Sequence, residues 1–102
     1  MDFGLCDAQR LIRDTTREFT RREIAPIAEE IDREERWPAE LWPKLGELGL
    51  LGITVPEAYG GSGADLLSGV LAIEEIGKVS ASVALSYGAH ANLCANNIAI
   101  NA

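Results

Sequence analysis

Residues 79–102, VSASVALSYGAHANLCANNIAINA, carry no formally charged side chain at neutral pH. Ser80 or Ser82 supplies a hydroxyl for an N-cap, and the stretch ends without a glycine, a basic residue or a proline that would stop a helix. We therefore predict a helix that runs to Ala102 and continues past it, so that the chain is truncated within its last helix. This neutral stretch is the part of the chain least suited to a solvated surface.

One face of this predicted helix consists mostly of small side chains. Leu85, Gly88, Ala89 and Asn92 stand at positions i, i+3, i+4 and i+7, so an α-helix places them in one stripe. Such a stripe lets a neighbouring helix approach closely, or it leaves room for a ligand. The spacing alone favours close helix packing, with a ligand pocket as the alternative.

The N-terminal part of the chain shows the periodicity of amphipathic helices. Asp7 is the expected N-cap of the first helix, and Pro26 is expected to end or kink it near Ile24 or Ala25. An acidic, turn-rich stretch over residues 27–36 follows. Its apolar residues recur on one face, which indicates a second short helix.

Two more helices are predicted before the neutral stretch. One begins near Ala39 or Glu40, because Pro43 is tolerated in a first turn but not in a helix interior. The other is capped by Asp65. The short apolar run around Val55 is too brief to carry a sheet alone. The predicted fold class is all-α, a helical bundle of about five helices.

The formal charges are concentrated in the first half of the chain. Of the 9 basic and 16 acidic side chains, only Asp65, Glu74, Glu75 and Lys78 lie beyond Glu57, and the formal net charge is -7. This balance argues against nucleic-acid binding through a basic surface. Adjacent carboxylates such as Glu74 and Glu75 point in different directions on a helix, so they are predicted to lie on solvated faces.

A membrane span is a third interpretation of the neutral stretch. Its asparagines, histidine and serines argue against it, because they would bring many polar groups into hydrocarbon.

Cys6 and Cys94 lie far apart and form no C-x-x-C pattern, which predicts free thiols in a reducing compartment. The N-terminus shows no basic region followed by an apolar one, so no secretory signal is expected.

Two other patterns suggest ligand sites but have stronger structural explanations. The turn at residues 60–63, GGSG, precedes a helix, yet Asp65 stands where a phosphate would bind. His90 and Cys94 stand four residues apart and could form half a metal site, but the neutral stretch offers no second histidine and no carboxylate. We expect a structural turn and a buried, hydrogen-bonded histidine, with no metal site and no catalytic triad.

Several stretches together resemble one known family. Residues 37–53, WPAELWPKLGELGLLGI, residues 55–61, VPEAYGG, and residues 73–76, IEEI, resemble the N-terminal helical domain of acyl-CoA dehydrogenases, in the order in which that domain has them. Within this family, residues 80–94, SASVALSYGAHANLC, are most similar to the isovaleryl-CoA dehydrogenases. The resemblance therefore extends over nearly the whole chain.

The resemblance implies that residues 1–102 are the first domain of an FAD-dependent enzyme that oxidises the Cα–Cβ bond of a short branched acyl-CoA, as in leucine catabolism. In that family a carboxylate base removes the α-proton, hydride leaves the β-carbon for the flavin, and an electron-transferring flavoprotein reoxidises the flavin. The β-domain and the C-terminal helical domain are expected to be absent, so the chain alone is expected to be inactive. The full-length enzyme is expected to be a homotetramer in the cytoplasm, or in the mitochondrial matrix of a eukaryote.

The resemblance also implies a role for the stripe of small residues. The matching helix in the family lines the acyl end of the substrate pocket, and Leu85, Gly88, Ala89 and Asn92 fall on the matching positions. Gly88 and Ala89 would open lateral space for a branched acyl tail, and Leu85 would limit its depth. No catalytic residue is expected in this chain. The alternative function is a free-standing helical interaction module without catalysis.

Overall fold

All regular structure in residues 4–101, which the computed structural model describes apart from the side chain of Asn92, is helical. The predicted all-α class is therefore confirmed. A short 3-10 turn, Glu57–Tyr59, lies in the long connection that precedes the fourth helix. The α-helices are α1 (Asp7–Phe19), α2 (Ala28–Glu34), α3 (Leu41–Glu47), α4 (Leu66–Gly77), α5 (Ala81–Gly88) and α6 (Asn96–Asn101).

The N-cap of α1 lies one residue before the predicted one. Cys6 has the extended backbone of an N-cap, and its N–H donates to Gln9 Oε1 at 3.0 Å. Asp7 is the first helical residue, so the prediction that it caps α1 was wrong by one position. Its carboxylate still lies at the positive end of the helix dipole, where a negative charge is favourable.

The chain stays helical after α1 but changes its winding on either side of Pro26. The α-helix ends at Phe19, a π-helical turn covers Thr20–Ile24, and a 3-10 turn covers Ala25–Ile27. Proline has no N–H to donate and its ring crowds the carbonyl four residues earlier, so a regular α-helix cannot pass through it. The predicted break at Pro26 is confirmed, although the α-helical winding ends before the predicted residues.

The starts of α4 and α5 agree with the sequence analysis. Asp65 Oδ1 accepts hydrogen bonds from the Ser68 N–H at 2.9 Å and from the Ser68 hydroxyl at 2.7 Å. Ser80 Oγ accepts one from the Val83 N–H at 3.3 Å. Such side-chain oxygens satisfy amides that have no partner inside the helix. Ser82 lies within α5, so Ser80 is the cap of the two candidates.

Backbone hydrogen bonds close the long connection between α3 and α4 into a tight loop. Gly52 and Ile53 lie on one side of this loop, and residues 61–64 lie on the other. Ile53 is only 1% exposed, so the loop is built onto the core. The donors and their carbonyl acceptors are Ser62 to Gly52 at 3.0 Å, Gly63 to Val55 at 2.9 Å, and Ala64 to Ile53 at 2.8 Å.

The core lies where α1, α4 and α5 pack together and against this loop. α4 and α5 lie close together at Gly77, where an added Cβ would be 3.7 Å from Ala84 Cβ, in ordinary van der Waals contact. Burial of these side chains is the main favourable contribution to folding. The buried apolar residues are Phe19, Ile24, Ile31, Leu41, Leu45, Leu50, Ile53, Ala72, Ile76, Val83, Ala84, Tyr87 and Ala91.

An ion pair between α1 and α4 corrects one prediction. Glu75 was expected on a solvated face but is only 5% exposed. Its carboxylate accepts two hydrogen bonds from Arg17, at 3.0 and 3.2 Å, and one from Lys78 at 3.2 Å. The Arg17 guanidinium, with help from Lys78, holds the pKa of Glu75 below its usual value. The neighbouring Glu74 is exposed, as predicted.

We predict that Glu75→Gln lowers the free energy of unfolding at pH 7. Because the folded state depresses the pKa of Glu75, its stabilising contribution is present above the usual glutamate pKa of about 4.3 and is lost as the pH falls through the lower, folded-state value. The difference in stability between the unmodified chain and the variant should therefore shrink as the pH falls from 7 to 3. Urea unfolding across this range measures it.

The control for this experiment is Glu74→Gln, at the exposed neighbouring position. An exposed substitution of this kind changes the free energy of unfolding by no more than about 0.5 kcal/mol. A Glu75→Gln deficit of the same size at pH 7 and pH 3 would contradict the assigned role of the charge.

Candidate functional site

The stripe of small residues lies on a helix surface that is partly open to solvent. Leu85 is 76% exposed and Ala89 is exposed. Gly88 is half-buried and faces α4, since a Cβ added there would lie 3.4 Å from Ile73 Cδ1. Leu85 and Ala89 are thus accessible to a ligand, whereas Gly88 lies at a helix–helix contact. The side chain of Asn92 lies outside the described part of the structure.

The helix that carries the stripe changes its winding at Ala89. After α5 ends at Gly88, a π-helical segment covers Ala89–Ala95 and leads into α6. A π-helix forms hydrogen bonds between residues five apart, so its side chains do not follow the α-helical repeat. The spacing that placed Asn92 in the same stripe therefore does not hold beyond Ala89. Its proposed role remains a prediction.

Beyond Ala89, the helix exposes a larger apolar surface. Four aliphatic side chains of this helix are 59–76% exposed: Leu85, Leu93, Ile98 and Ile100. Ile98 and Ile100 stand two residues apart in α6 and point to opposite sides, so the name exposed apolar face is used here for Leu85, Leu93 and Ile98. Leu93 and Ile98 share one open side of the helix with Ala89 and Cys94. An uncharged apolar surface of this kind suits the hydrocarbon part of a ligand or another apolar protein surface.

Two asparagines on this helix, Asn97 and Asn101, donate to carbonyls of the helix itself. Asn97 Nδ2 donates to the Leu93 carbonyl at 2.7 Å, and Asn101 Nδ2 donates to the Asn97 carbonyl at 3.0 Å. These local bonds use the amide groups without an outside partner. The polar residues that argued against a membrane span therefore do not require a polar ligand. Within residues 4–101, no helix is long and apolar enough to cross a membrane.

The opposite side of the same helix is anchored in the core. Tyr87 is fully buried, and its hydroxyl donates to the Leu50 carbonyl at 2.7 Å. Burial raises the pKa of this hydroxyl well above its usual value, so it stays protonated. Sequence reasoning did not single out Tyr87. The sequence signal for its burial was its position two residues from both Leu85 and Ala89, because this spacing places the ring on the opposite side of the helix from them.

A second hydrogen bond joins the same loop to the helix. Thr54 Oγ1 donates to Asn96 Oδ1 at 2.9 Å, just after the π-helical segment. No local sequence pattern indicates this contact, because the two residues are 42 positions apart.

His90 does not have the predicted environment. It is exposed, and its ring meets Trp42 edge-on with centroids 6.2 Å apart. The prediction of a buried, hydrogen-bonded histidine was therefore wrong, because the helix turns this position outward.

Cys6 and Cys94 are free and exposed, in agreement with the predicted free thiols. In the described part of the chain, no group of three histidine, cysteine or carboxylate side chains could hold a metal ion.

The loop at residues 60–63 does not offer a phosphate site. The amide of Ser68 at the start of α4, which a phosphate would need, already donates to Asp65. The glycines instead permit a tight turn, in which Gly60 and Gly63 have positive φ values of 88° and 65°. The expectation of a structural turn agrees with this geometry.

Within the described residues, neither the arginines of α1 nor the first turn of α4 is free to hold the diphosphate of FAD. The diphosphate of FAD needs cationic groups or backbone amides that are not already paired. The arginines of α1 pair with Asp7, Asp14 and Glu75, and Asp65 occupies the first turn of α4. We therefore assign no step of flavin chemistry to residues 4–101.

Comparisons with known proteins agree with this architecture. The sequence model described as "Acyl-CoA dehydrogenase, N-terminal domain" matches residues 6–102. The chain is 49% identical over 100 residues to the mitochondrial isovaleryl-CoA dehydrogenase of Pongo abelii, which covers 96% of this chain and 24% of that protein. It is 45% identical over 98 residues to a short-chain-specific acyl-CoA dehydrogenase of Clostridium acetobutylicum, with 96% and 26% covered.

A solved structure shows the same fold. The structure of butyryl-CoA dehydrogenase from Megasphaera elsdenii superposes with a TM-score of 0.90 at 40% sequence identity, over 96% of this chain and 26% of that one. The present chain thus spans about a quarter of the length of the relatives it matches. These relatives differ in their named substrates.

Proposed function

Because this chain belongs to the acyl-CoA dehydrogenase family, we propose that it is the N-terminal helical domain of an FAD-dependent enzyme that oxidises the Cα–Cβ bond of a short branched acyl-CoA. Membership of the family implies FAD in the full-length enzyme. The observation that carries the substrate assignment is the accessible pair Leu85 and Ala89, which lies on a helix without any charge.

The proposed role of the helix is to form one wall of the acyl-tail pocket. Ala89 would leave lateral width for a branch, and Leu85 would limit the depth of the tail. Gly88 would contribute indirectly, through its contact with Ile73 of α4, whose Cδ1 would lie 3.4 Å from an added Cβ. Asn92 is proposed as the fourth residue of this wall by family resemblance alone.

The chemistry itself is proposed to lie in the rest of the enzyme. A base and a complete flavin site would come from a β-domain and a C-terminal helical domain, so residues 1–102 alone would be inactive. The proposed partners are an electron-transferring flavoprotein and three further copies of the full-length chain in a homotetramer. The proposed compartment is the cytoplasm, or the mitochondrial matrix in a eukaryote; some relatives are mitochondrial enzymes.

A second candidate function is supported by the exposed apolar face. A domain that keeps this fold without the chemistry could use that face to bind a partner protein. The DNA downstream of codon 102 distinguishes the two functions. A reading frame that continues into a β-rich segment and a second helical domain supports the enzyme, and a stop codon at that point supports the interaction module.

The substrate proposal predicts that Ala89→Leu narrows the pocket in a full-length enzyme that carries this domain. One methylene of misfit in an apolar pocket changes specificity by about tenfold or more, and leucine adds three carbons. The ratio of kcat/KM for isovaleryl-CoA to that for butyryl-CoA should therefore fall by at least about tenfold. Steady-state kinetics with both substrates measure this ratio.

The matched control is Ala8→Leu, the same change at an exposed alanine of α1. It should leave the ratio unchanged, because α1 does not carry the proposed pocket residues. If Ala89→Leu also leaves the ratio unchanged, the assignment of this helix to the acyl tail is wrong.

A further inference from the structure

The loop between α3 and α4 contacts the proposed pocket helix at two points, one on each side of its π-helical segment. From this arrangement we infer that residues 50–54 act as a brace that fixes the rotation of the helix, with Tyr87 and Thr54 as positioning residues for substrate selectivity. The inference rests on the proposed function, because it concerns how Leu85 and Ala89 are presented to an acyl tail.

The first contact fixes the helix just before the π-helical segment. Tyr87 donates its hydroxyl hydrogen bond to the Leu50 carbonyl and is fully buried. An α-helix turns by about 100° per residue, so a residue two positions from Tyr87 points to the opposite side. Anchoring Tyr87 in the core therefore turns Leu85 and Ala89 outward, where the structure has them exposed.

The second contact fixes the helix just after the π-helical segment. Thr54 Oγ1 donates to Asn96 Oδ1 at 2.9 Å. Between the two contacts, Ile53 of the loop and Ala91 of the helix are both buried in the same core. The loop is thus tied to the helix by hydrogen bonds before and after the segment that changes winding.

The winding of this segment is uncommon and affects where its side chains point. A π-helical turn holds about one residue more than an α-helical turn, and π-helical winding is rare in proteins. If one π-turn returned to α-helical winding, the residues that follow it would rotate by about 100° relative to α5. Asn96 would then leave Thr54. Two contacts on opposite sides of the segment therefore define the direction in which its side chains point.

The brace is itself held in place by backbone hydrogen bonds. The Leu50 N–H donates to the Leu45 carbonyl of α3 at 3.1 Å. The Gly52 carbonyl accepts from Val55 at 3.1 Å and from Ser62 at 3.0 Å. A brace anchored at both ends transmits a fixed orientation, which a mobile loop could not do.

The test uses two substitutions that each remove one hydroxyl and preserve the shape of the side chain, Tyr87→Phe and Thr54→Val. In the full-length enzyme that carries this domain, each should lower the ratio of kcat/KM for isovaleryl-CoA to that for butyryl-CoA by about threefold or more, because the pocket wall loses its defined rotation. Thr54 is only half-buried, so its variant provides the measurement if Tyr87→Phe fails to fold.

The matched control is Thr16→Val in α1. It removes a hydroxyl that donates to the Ile12 carbonyl at 2.7 Å, on a fully buried residue away from the brace. It should lower the melting temperature and leave the selectivity ratio unchanged. If it moves the ratio as much as the brace variants do, the effect is general destabilisation and the inference is wrong.

Ala89→Leu, measured in parallel, separates failure of the brace from failure of the proposed function. If Ala89→Leu changes the ratio and neither brace variant does, the brace inference is overturned and the proposed function stands. If none of the three changes the ratio, the proposed function is overturned, and the brace inference with it.

Discussion

Gly61→Ala should lower the free energy of unfolding by about 3 kcal/mol or more. A Cβ added to Gly61 would overlap the Val55 carbonyl oxygen and lie 2.6 Å from the Val55 carbonyl carbon. These are backbone atoms, so they cannot move aside as the end of a flexible side chain can. The loop would have to open, and with it the hydrogen bonds that hold Ile53 in the core.

Thermal unfolding followed by circular dichroism measures this effect. For a domain of this size, about 3 kcal/mol corresponds to a fall in Tm of about 12 °C or more. The same loop holds Leu50 and Thr54 in the proposed brace, so the substitution is also expected to disturb the pocket helix.

Two glycine controls separate the steric contact from other effects of adding a methyl group. Gly46→Ala, in α3, meets only the end of Leu51 at 3.4 Å and should be neutral or slightly stabilising. Gly60→Ala meets no atom within 4 Å but requires a side chain at a φ of 88°, which costs about 1 kcal/mol. A Gly61→Ala variant no less stable than Gly60→Ala would contradict the packing described for this loop.

The second large effect concerns the exposed apolar face of the last helix, that is, the continuous helix formed by α5, the π-helical segment and α6. The isolated chain of 102 residues should self-associate through this face, because its three aliphatic side chains are well exposed and the stretch that carries them has no formal charge. Burying one such side chain contributes about 1.5 kcal/mol or more, which is about tenfold in a dissociation constant. Leu93→Gln combined with Ile98→Gln should therefore shift the chain strongly toward the monomer.

Sedimentation velocity over a range of concentrations measures the change in association. The matched control is Leu11→Gln, since Leu11 of α1 and Leu93 are both 68% exposed. The control should leave the association unchanged if the face on the last helix is responsible. A chain that is monomeric at every concentration, with a sharp thermal transition, would contradict the prediction.

Several features of the fold could be predicted from the sequence because they depend on neighbouring residues. Asp65 and Ser80 cap their helices through amides three residues away, so residue type and position indicate them directly. Pro26 interrupts the first helix because of its own covalent structure. The cap of α1 was misplaced by one position because Cys6 takes the extended backbone that Asp7 was expected to have.

The candidate site was only partly accessible to such reasoning. The small residues Gly88 and Ala89 were identified from their spacing, but an α-helical repeat could not reveal that the winding changes at Ala89. It also could not show that Gly88 faces Ile73 while Ala89 faces solvent. Those differences depend on how α4 and the loop pack against the helix.

The sequence by itself determined the helical class, the caps of α4 and α5 and the neutral character of residues 79–102, because periodicity, capping and charge are properties of residues close together in the chain. Only the tertiary structure decided the rotation of that helix and the burial of Glu75. These depend on contacts across 37 positions, between Tyr87 and Leu50, and across 58 positions, between Arg17 and Glu75. Pairings over such distances form only when the helices pack, so no local pattern in the sequence specifies them.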